Sequence, residues 1–339
     1  MPTMKAVIVS KKDGPFELAD IPTPAPSAGQ ALVKVYAAGL NPLDLKIRAQ
    51  AAAHAEQPLP AILGMDVAGS VVALGDGVSG FAIGDEVYGM IGGFGGHQGA
   101  LAEYVAVDAR LIAPKPKNLT MRDAAALPLV FITAWEGLID RAHVRKGQRV
   151  LVQGGGGGVG HVAIQIANAF EAEVYATDRP EKADLIRALG ATPIDFTTEG
   201  PDDYVARYTG GKGFDLIYDT GGGKVLDASF DAVARFGHVV SCLGREQHSL
   251  ATLSLKAGTY SGVFTLLPIL TGEGLEHHGE IMREATRLAE AAKLRPHVDS
   301  HHFNLATVED AYALLRSGNA NGKIVIEISE ARAEADKHA

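Results

Sequence analysis

Six glycines fall within seven residues in Gly154-Gly-Gly-Gly-Gly158-Val159-Gly160, and the flanking residues give the run a meaning. A short apolar stretch, Val150 to Val152, leads in. Val162, Ile166 and Phe170 recur at helical spacing behind it, with Ala163 and Ala167 alongside. This pattern predicts strand, tight turn and helix. Gly155, Gly157 and Gly160 fit G-x-G-x-x-G, with Gly158 and Val159 completing the turn. One such glycine permits the turn, and a second lets backbone N–H groups approach a pyrophosphate. The third lets the helix lie close on the strand, whose neighbouring helix N-terminus favours the anion. A flexible glycine linker is the bland reading, and the flanking strand and helix argue against it.

A second constellation follows in Tyr175-Ala-Thr-Asp178-Arg179-Pro-Glu-Lys182. In dinucleotide sites an acidic residue at the strand end holds a ribose 2′-OH, whereas an arginine accommodates a 2′-phosphate. Asp178 stands 178 − 160 = 18 residues beyond Gly160 and suits the first; Arg179 and Lys182 suit the second.

These residues need a scaffold, and from Arg149 onward the chain alternates strands and helices. The pattern predicts strands at 173–177, 190–195, 214–219 and 238–242, with helices at 160–170, 181–189, 204–208 and 225–234 between them. Such alternation predicts a parallel, doubly wound sheet, which binds ligands at its strand carboxyl ends. The glycine turn, Asp178–Arg179, Thr220–Gly222 and Cys242-Leu243-Gly244 therefore share one edge. The first 115 or so residues are different: short strands at 4–10, 31–38, 70–74, 85–88 and 101–107 are separated by glycine turns and a glycine-rich loop at 89–100. They predict a barrel-like β domain. Asn41 and Asp44 mark a turn into a short helix there. Thr120 is a plausible N-cap for a helix, and 130–142 reads as a helix containing Thr133. Beyond residue 268 the pattern predicts a helix over 276–294, an extended piece at 298–303, a helix over 307–317 capped by Thr307, and a strand at 323–328. The tail 329–339 is charged and expected to fray.

The 339 residues favour two domains. A net charge of −9 does not suit a nucleic-acid binder. No apolar run reaches the roughly 18 residues of a membrane span, and residues 4–10 read as a strand rather than a signal peptide. Cys242 is the single cysteine, which excludes an intrachain disulfide and a cysteine-rich zinc site. Cytoplasmic residence is the default expectation.

Taken in order, Gly39-Leu-Asn-Pro-Leu-Asp44, Gly64-Met-Asp-Val-Ala-Gly69, Gly84-Asp-Glu-Val-Tyr88, Ala102-Glu-Tyr-Val105, the glycine turn and Asn321-Gly-Lys-Ile-Val325 resemble the medium-chain dehydrogenase/reductase superfamily. The resemblance implies an α/β chain: a GroES-like β-rich catalytic domain from residues 1–125 and 268–339, and a Rossmann domain over 126–267. In the zinc alcohol dehydrogenases of that family a cysteine stands where this chain has Asn41. The histidine of Gly-His-Glu is here Met65, and the third ligand place, near Leu129, is apolar. The four-cysteine structural lobe is replaced by the loop near 89–100. Catalytic zinc needs about three nitrogen, sulfur or carboxylate ligands. The chain therefore resembles the zinc-independent quinone oxidoreductase branch, which includes enone reductases.

That branch implies hydride transfer from a nicotinamide cofactor to a quinone or α,β-unsaturated carbonyl. Asn41 would orient substrate or the cofactor ribose, with a loop cap as its other reading. Lys46 could bond a substrate oxygen or stay an exposed lysine. Thr133 falls where the family contacts the nicotinamide end, and Phe264 is either a wall of that pocket or a core aromatic. Asn321 and Lys323 resemble C-terminal cofactor contacts; His97 and Tyr104 are candidate proton donors beside water. The family's usual acidic place falls on Thr177, and Arg179 and Lys182 match polar or basic places of NADP-dependent relatives, so NADPH is favoured over NADH. A non-catalytic NADPH-binding sensor and a zinc-independent alcohol dehydrogenase remain alternatives. Two strands around 251–266 are expected to pair across a homodimer, as in relatives.

Overall fold

The computed structural model describes residues 2–329 and divides them into two compact units. The first is made from the chain up to Leu129, Leu266–Glu290 and the chain from Pro296 on; the second is Val130–Thr265 with Ala291–Arg295. Beyond Ser329, the expected frayed tail lies outside the described residues.

Numbered in chain order, the strands of the first unit are β1 (Thr3–Val9), β2 (Phe16–Pro22), β3 (Gln30–Gly39), β4 (Ala61–Ile62), β5 (Asp66–Leu74), β6 (Glu86–Met90), β7 (Tyr104–Asp108) and β8 (Ile112–Pro114), with β15 (Val325–Glu327) from the far end of the chain. β3 is their hub. Its period-2 pattern buries Ala31, Val33, Val35 and Ala37, and it pairs antiparallel with β5, β7 and β15. A smaller sheet runs β2-β1-β4. The sequence reading passes over β2, whose seven residues pair in full register with β1 but bury no side chain, so no apolar alternation marks it.

The helices of this unit are α1 (Pro42–Arg48), α2 (Met121–Ala125), α9 (Leu267–Thr271), α10 (Leu275–Glu290) and α11 (Val308–Ser317). Thr120 does cap α2, its hydroxyl oxygen accepting from the Asp123 amide at 3.1 Å. On α10, Leu275, His278, Ile281, Met282, Ala285 and Leu288 form one buried stripe. The helix ends at Glu290, four residues before the expected Leu294. The piece 298–303 touches its neighbours through isolated bridges only, Val298 to Lys323 and Phe303 to Ile326. Thr307 stands at the N-cap position of α11 but makes no side-chain capping bond to it; a 3-10 turn, Leu305–Thr307, precedes the helix, and Asn304 caps that turn through its side-chain oxygen to Ala306 N while Thr307 Oγ1 accepts from Asn304 N.

The second unit holds β9 (Arg149–Gln153), β10 (Glu173–Asp178), β11 (Thr192–Asp195), β12 (Phe214–Asp219), β13 (Val233–Ser241) and β14 (Thr259–Gly262). All are parallel, in the order β11-β10-β9-β12-β13-β14. The connecting helices are α4 (Gly160–Ala169), α5 (Ala183–Ala188), α6 (Pro201–Thr209), α7 (Gly223–Ala232) and α8 (Ala251–Leu255). Leu151, Ile217, Val239, Phe214 and Phe230 lie in the buried core between sheet and helices. α3 (Pro128–Trp135) leads into this unit and continues as a π-helix over Glu136–Arg141. The expectation of two strands over 251–266 is corrected: the first of them is α8. The chain steps outward from β9 to β10 and β11, then returns to lay β12 beside β9. That reversal is the topological switch point, where such sheets open a crevice for ligand.

Candidate functional site

The glycine turn joins β9 to α4 at the carboxyl end of the sheet. Gly160 shows why the third glycine is needed: a Cβ there would sit 2.0 Å from the Gly154 carbonyl oxygen, against backbone that has no room to move. Gly155 and Gly160 are buried, whereas Gly157 and Gly158 are exposed. Gly154 and Gly155 both donate to the Thr177 carbonyl at 3.0 Å, tying the turn to β10. No backbone partner takes the Gly158 and Val159 amides among the described residues, so they remain as donors at the start of α4. These features fit a dinucleotide pyrophosphate.

Thr177 and Asp178 divide the work at the end of β10. Thr177 is buried and donates to Gln153 Oε1 at 2.5 Å, so it faces the fold interior. The Asp178 carboxylate turns back onto the glycine turn, accepting from Gly156 N at 2.7 Å and from Arg179 N at 2.8 Å. Arg179 is exposed, and the Lys182 stem lies against Gly156. Asp178 thus faces the turn and is already engaged by two amides.

On the other side of the switch point lie the ends of β12, β13 and β14. Thr220 Oγ1 donates to the Gln153 carbonyl at 2.6 Å, locking the end of β12 to the end of β9. Asp219 is fully buried and accepts from the amides of Gly221 and Gly222 and from Ser241 Oγ. Sequence reasoning missed this organiser of the two turns, for which a strand-terminal aspartate before three glycines is the available signal. Burial pushes the Cys242 thiol up to about 12, so it is a packing group rather than a thiolate. Leu243 is partly exposed and Phe264 half-buried, with the Arg245 guanidinium 5.9 Å from the Phe264 ring. Thr133 is buried, its Oγ1 3.1 Å from Thr265 Oγ1 and its carbonyl accepting from Tyr218 at 2.7 Å.

The first unit gathers Asn41, Asp44, Asp66 and Lys323 in its interior. Lysine only donates and carboxylate only accepts, which fixes the Asn41 amide. Its Oδ1 faces Lys323 Nζ at 2.5 Å, and its Nδ2 faces Asp66 Oδ2 at 2.9 Å. Asp66 Oδ1 accepts from Leu129 N at 2.8 Å. Two of the three places that would hold zinc in relatives, Asn41 and Leu129, are thus hydrogen-bonded to one aspartate, and the third, Met65, is fully buried. This donor set does not fit zinc: the three places offer an amide, a thioether and an apolar side chain, and both oxygens of Asp66 are engaged. Lys323 also donates to Leu40 O at 2.8 Å, so the ammonium expected at the cofactor is spent inside this unit. Asn41 occupies the N-cap position of α1, but Asp44 does the capping, accepting from Asn41 N at 2.9 Å. Asp44 also accepts from Gly64 N, and burial raises its carboxyl to about 6. The wholly buried Tyr312 hydroxyl lies against Asp44 without a hydrogen bond of normal geometry.

Lys46 is exposed on α1 and makes no side-chain hydrogen bond among the described residues. Asn321 is exposed, its backbone N–H donating to Asp299 Oδ2 at 2.7 Å. His97 lies exposed in the glycine-rich loop, and Tyr104 packs on Met4, Ala6 and Ala102. Among the described residues, Lys46, His97 and Tyr104 make no hydrogen bond to the Asn41 cluster.

Comparison with known proteins agrees with this geometry. Residues 27–117 match the alcohol dehydrogenase GroES-like domain, and residues 189–326 match the zinc-binding dehydrogenase family. The chain is similar to tomato (Solanum lycopersicum) 2-methylene-furan-3-one reductase, at 37% identity over 88% of this chain and 71% of that one. It is also similar to the chloroplastic NADPH-dependent alkenal/one oxidoreductase of Arabidopsis thaliana, at 35% identity over 95% and 79%. Among solved structures, an alcohol dehydrogenase superfamily protein from Novosphingobium aromaticivorans superposes with a TM-score of 0.95 at 57% identity, covering 96% of this chain and all of that one. With a parallel dinucleotide sheet, an antiparallel GroES-like unit and relatives of this kind, the chain belongs to the medium-chain dehydrogenase/reductase superfamily, as an oxidoreductase of its quinone oxidoreductase-like branch.

Proposed function

We propose that the protein is an NADPH-dependent, zinc-independent reductase of α,β-unsaturated carbonyl compounds, with quinones as a second class of acceptor. One observation carries this reading: an intact dinucleotide turn coexists with Asn41, Met65 and Leu129 at the three former ligand places. Without a Lewis acid an alkoxide is poorly activated for oxidation, whereas an electron-poor alkene or quinone accepts hydride readily. The names of the two curated relatives favour the enone.

When bound, the reduced nicotinamide supplies the hydride. The chain's own part is binding and orientation. The Gly158 and Val159 amides hold the pyrophosphate, while Arg179 and Lys182 meet the 2′-phosphate. Asp178, already accepting from two amides, supports NADPH over NADH. Asn41 is fixed in one amide orientation by Lys323 and Asp66, which suits a residue that must present the same face to each substrate or ribose. Water supplies the proton that completes reduction.

The test is NADPH oxidation by purified, metal-free protein, with a small enone and a small quinone offered separately and NADH as control. Turnover of either acceptor supports the reading, and their ratio orders the two classes. Binding of NADPH without turnover moves the protein to a sensor, and product from NADP and simple alcohols alone moves it to a zinc-independent alcohol dehydrogenase. Replacing Arg179 by Ala weakens NADPH binding far more than NADH binding; equal loss of both would overturn the NADPH assignment.

A further inference from the structure

After β13 the chain runs from Leu243 to Leu250 before entering α8, and every residue of that segment is exposed except His248. The root of the segment is fixed. A Cβ on Gly244 would lie 2.0 Å from the Tyr260 hydroxyl of β14, and one on Gly222 would lie 2.8 Å from the Leu243 carbonyl oxygen. The segment therefore starts in close contact with β14 and with the turn after β12.

Its middle rests on α7 through side chains. Glu246 reaches the start of that helix, with Oε2 3.4 Å from the place a Cβ on Gly223 would take, and a carboxylate is favourable at a helix N-terminus. One turn further along, His248 Nδ1 lies 2.8 Å from Asp227 Oδ1, and its ring stands edge-on to Phe230 with centroids 6.3 Å apart. A carboxylate only accepts, so Nδ1 carries the proton. The His248 side chain is 8% exposed, and its Nε2 is buried with no hydrogen-bond partner among the described residues. Burying an unpaired ring nitrogen costs about as much as one hydrogen bond to a charged group returns, so the docking of His248 stands close to balance. Segments so poised open locally, well short of global unfolding.

We propose that residues 243–250 form a strap over α7, held by a His248–Asp227 catch, and that its opening gates the carboxyl edge of the parallel sheet. The strap leaves β13 on the edge that carries the glycine turn and the end of β12, which Thr220 ties to β9. What the strap gates rests on the NADPH reading above; the catch rests on the fold alone.

A Glu-specific endoprotease tests the catch, because the chain around Glu246 must leave α7 and enter the protease extended. With opening faster than cleavage, the rate reads the open population. Asp227→Leu, at a half-exposed position, is expected to speed cleavage after Glu246 about tenfold, the worth of one hydrogen bond to a charged group. Cleavage after Glu56, exposed in the first unit, is expected to hold. Asp227→Asn keeps an acceptor for the Nδ1 proton and is expected to bring the rate most of the way back, and His248→Ala is expected to act as Asp227→Leu does. An unchanged rate in both Asp227→Leu and His248→Ala would overturn the catch, as would an equal rise at the two glutamates. Stopped-flow release of NADPH tests the gate. In Asp227→Leu it is expected to quicken by a similar factor while release of 2′,5′-ADP holds. Faster cleavage with unchanged NADPH release, or an equal rise for 2′,5′-ADP, would overturn the gate. Failure of the unaltered protein to bind NADPH would instead sink the NADPH reading, and the gate with it, while cleavage after Glu246 still decides the catch.

Discussion

At the scale of single residues, the buried cluster around Asn41 is where charge has the largest consequences. Lys323 is the cation that faces Asp66 in an interior from which both are almost wholly withdrawn from water, with Nζ 3.7 Å from the carboxylate. Removing one partner of such a pair leaves an uncompensated charge, at about 3–5 kcal/mol. Lys323→Met is therefore expected to lower the unfolding free energy measured by urea titration by that amount, as a lower midpoint with an unchanged slope, and adding Asp66→Asn is expected to recover much of the loss. A Lys323→Met protein as stable as the parent would show that the pair is not the compensation argued here. Asp44 gives the same cluster a pH dependence. Its folded-state value of about 6 lies above the ordinary 3.8, so the folded protein holds the proton more tightly. The stability this adds is fully present below about pH 3.8 and is lost as pH rises through about 6. The difference of about 2 units corresponds to at most about 3 kcal/mol. Burial shifts Asp66 in the same direction, so Asp44→Asn should flatten the slope of stability over this window in part rather than abolish it. An unchanged slope in urea titrations across that window would remove Asp44 from the account. This cluster also marks the limit of what could be read from the chain alone. Asn41 stands out through its motif, but Lys323 reads equally well as a cofactor contact. Only the antiparallel pairing of β15 with β3 brings residue 323 beside residue 41. The π turn over Glu136–Arg141 gave no signal at all, because a helical pattern does not announce one.

At the scale of elements, the strand–turn–helix at β9 and α4 was the most legible part of the chain. Gly160 is required there by contact with the turn's own backbone rather than by tertiary circumstance. Gly160→Ala tests this. The added methyl would lie 2.0 Å from the Gly154 carbonyl oxygen and 2.9 Å from the Gly155 Cα, and forcing a side chain into packed surroundings costs about 1–3 kcal/mol. The turn must open to relieve it, moving the amides that hold the anion. NADPH binding, followed by nicotinamide fluorescence, is expected to weaken about tenfold or more at that energy, with α4 still formed by circular dichroism. Binding within a factor of about two of the parent would contradict the close-packing role. The elements that escaped the sequence reading share a cause. β2 lies on a sheet edge and buries none of its side chains, so its alternation is faint. α8 is short and leaves Leu255 89% exposed, so its residues resemble a strand as much as a helix. The first helical residues after Asn304 hid their cap because Thr307, a good capping residue by type, takes the reciprocal place in the same box.

At the scale of the whole molecule, the open question is what covers the free edge of the parallel sheet. β14 is the terminal strand, and one side of its backbone has no strand partner among the described residues. Proteins rarely leave such an edge bare, because it pairs readily with another chain. Near it two large apolar side chains are exposed. Phe236 is 84% exposed and Leu255 89% exposed, and the Phe236 backbone N–H donates to the Lys256 carbonyl at 2.8 Å, which sets Phe236 of β13 beside the end of α8. Phe236 also holds a positive φ of 62°, uncommon for a bulky residue, so its outward placement is enforced by the backbone. An unpaired strand bordered by two large exposed apolar side chains supports a homodimer joined along β14. A net charge of −9 spread over each copy does not oppose this at physiological salt, where screening acts within about 8 Å. Light scattering is expected to give twice the chain mass at micromolar concentration, and Phe236→Asp with Leu255→Lys is expected to shift the protein to monomer while leaving 2′,5′-ADP binding in place. A parent protein that is monomeric at every concentration tested would end this assignment. The exposed pair would then be ordinary surface, and β14 would be protected by its shortness alone.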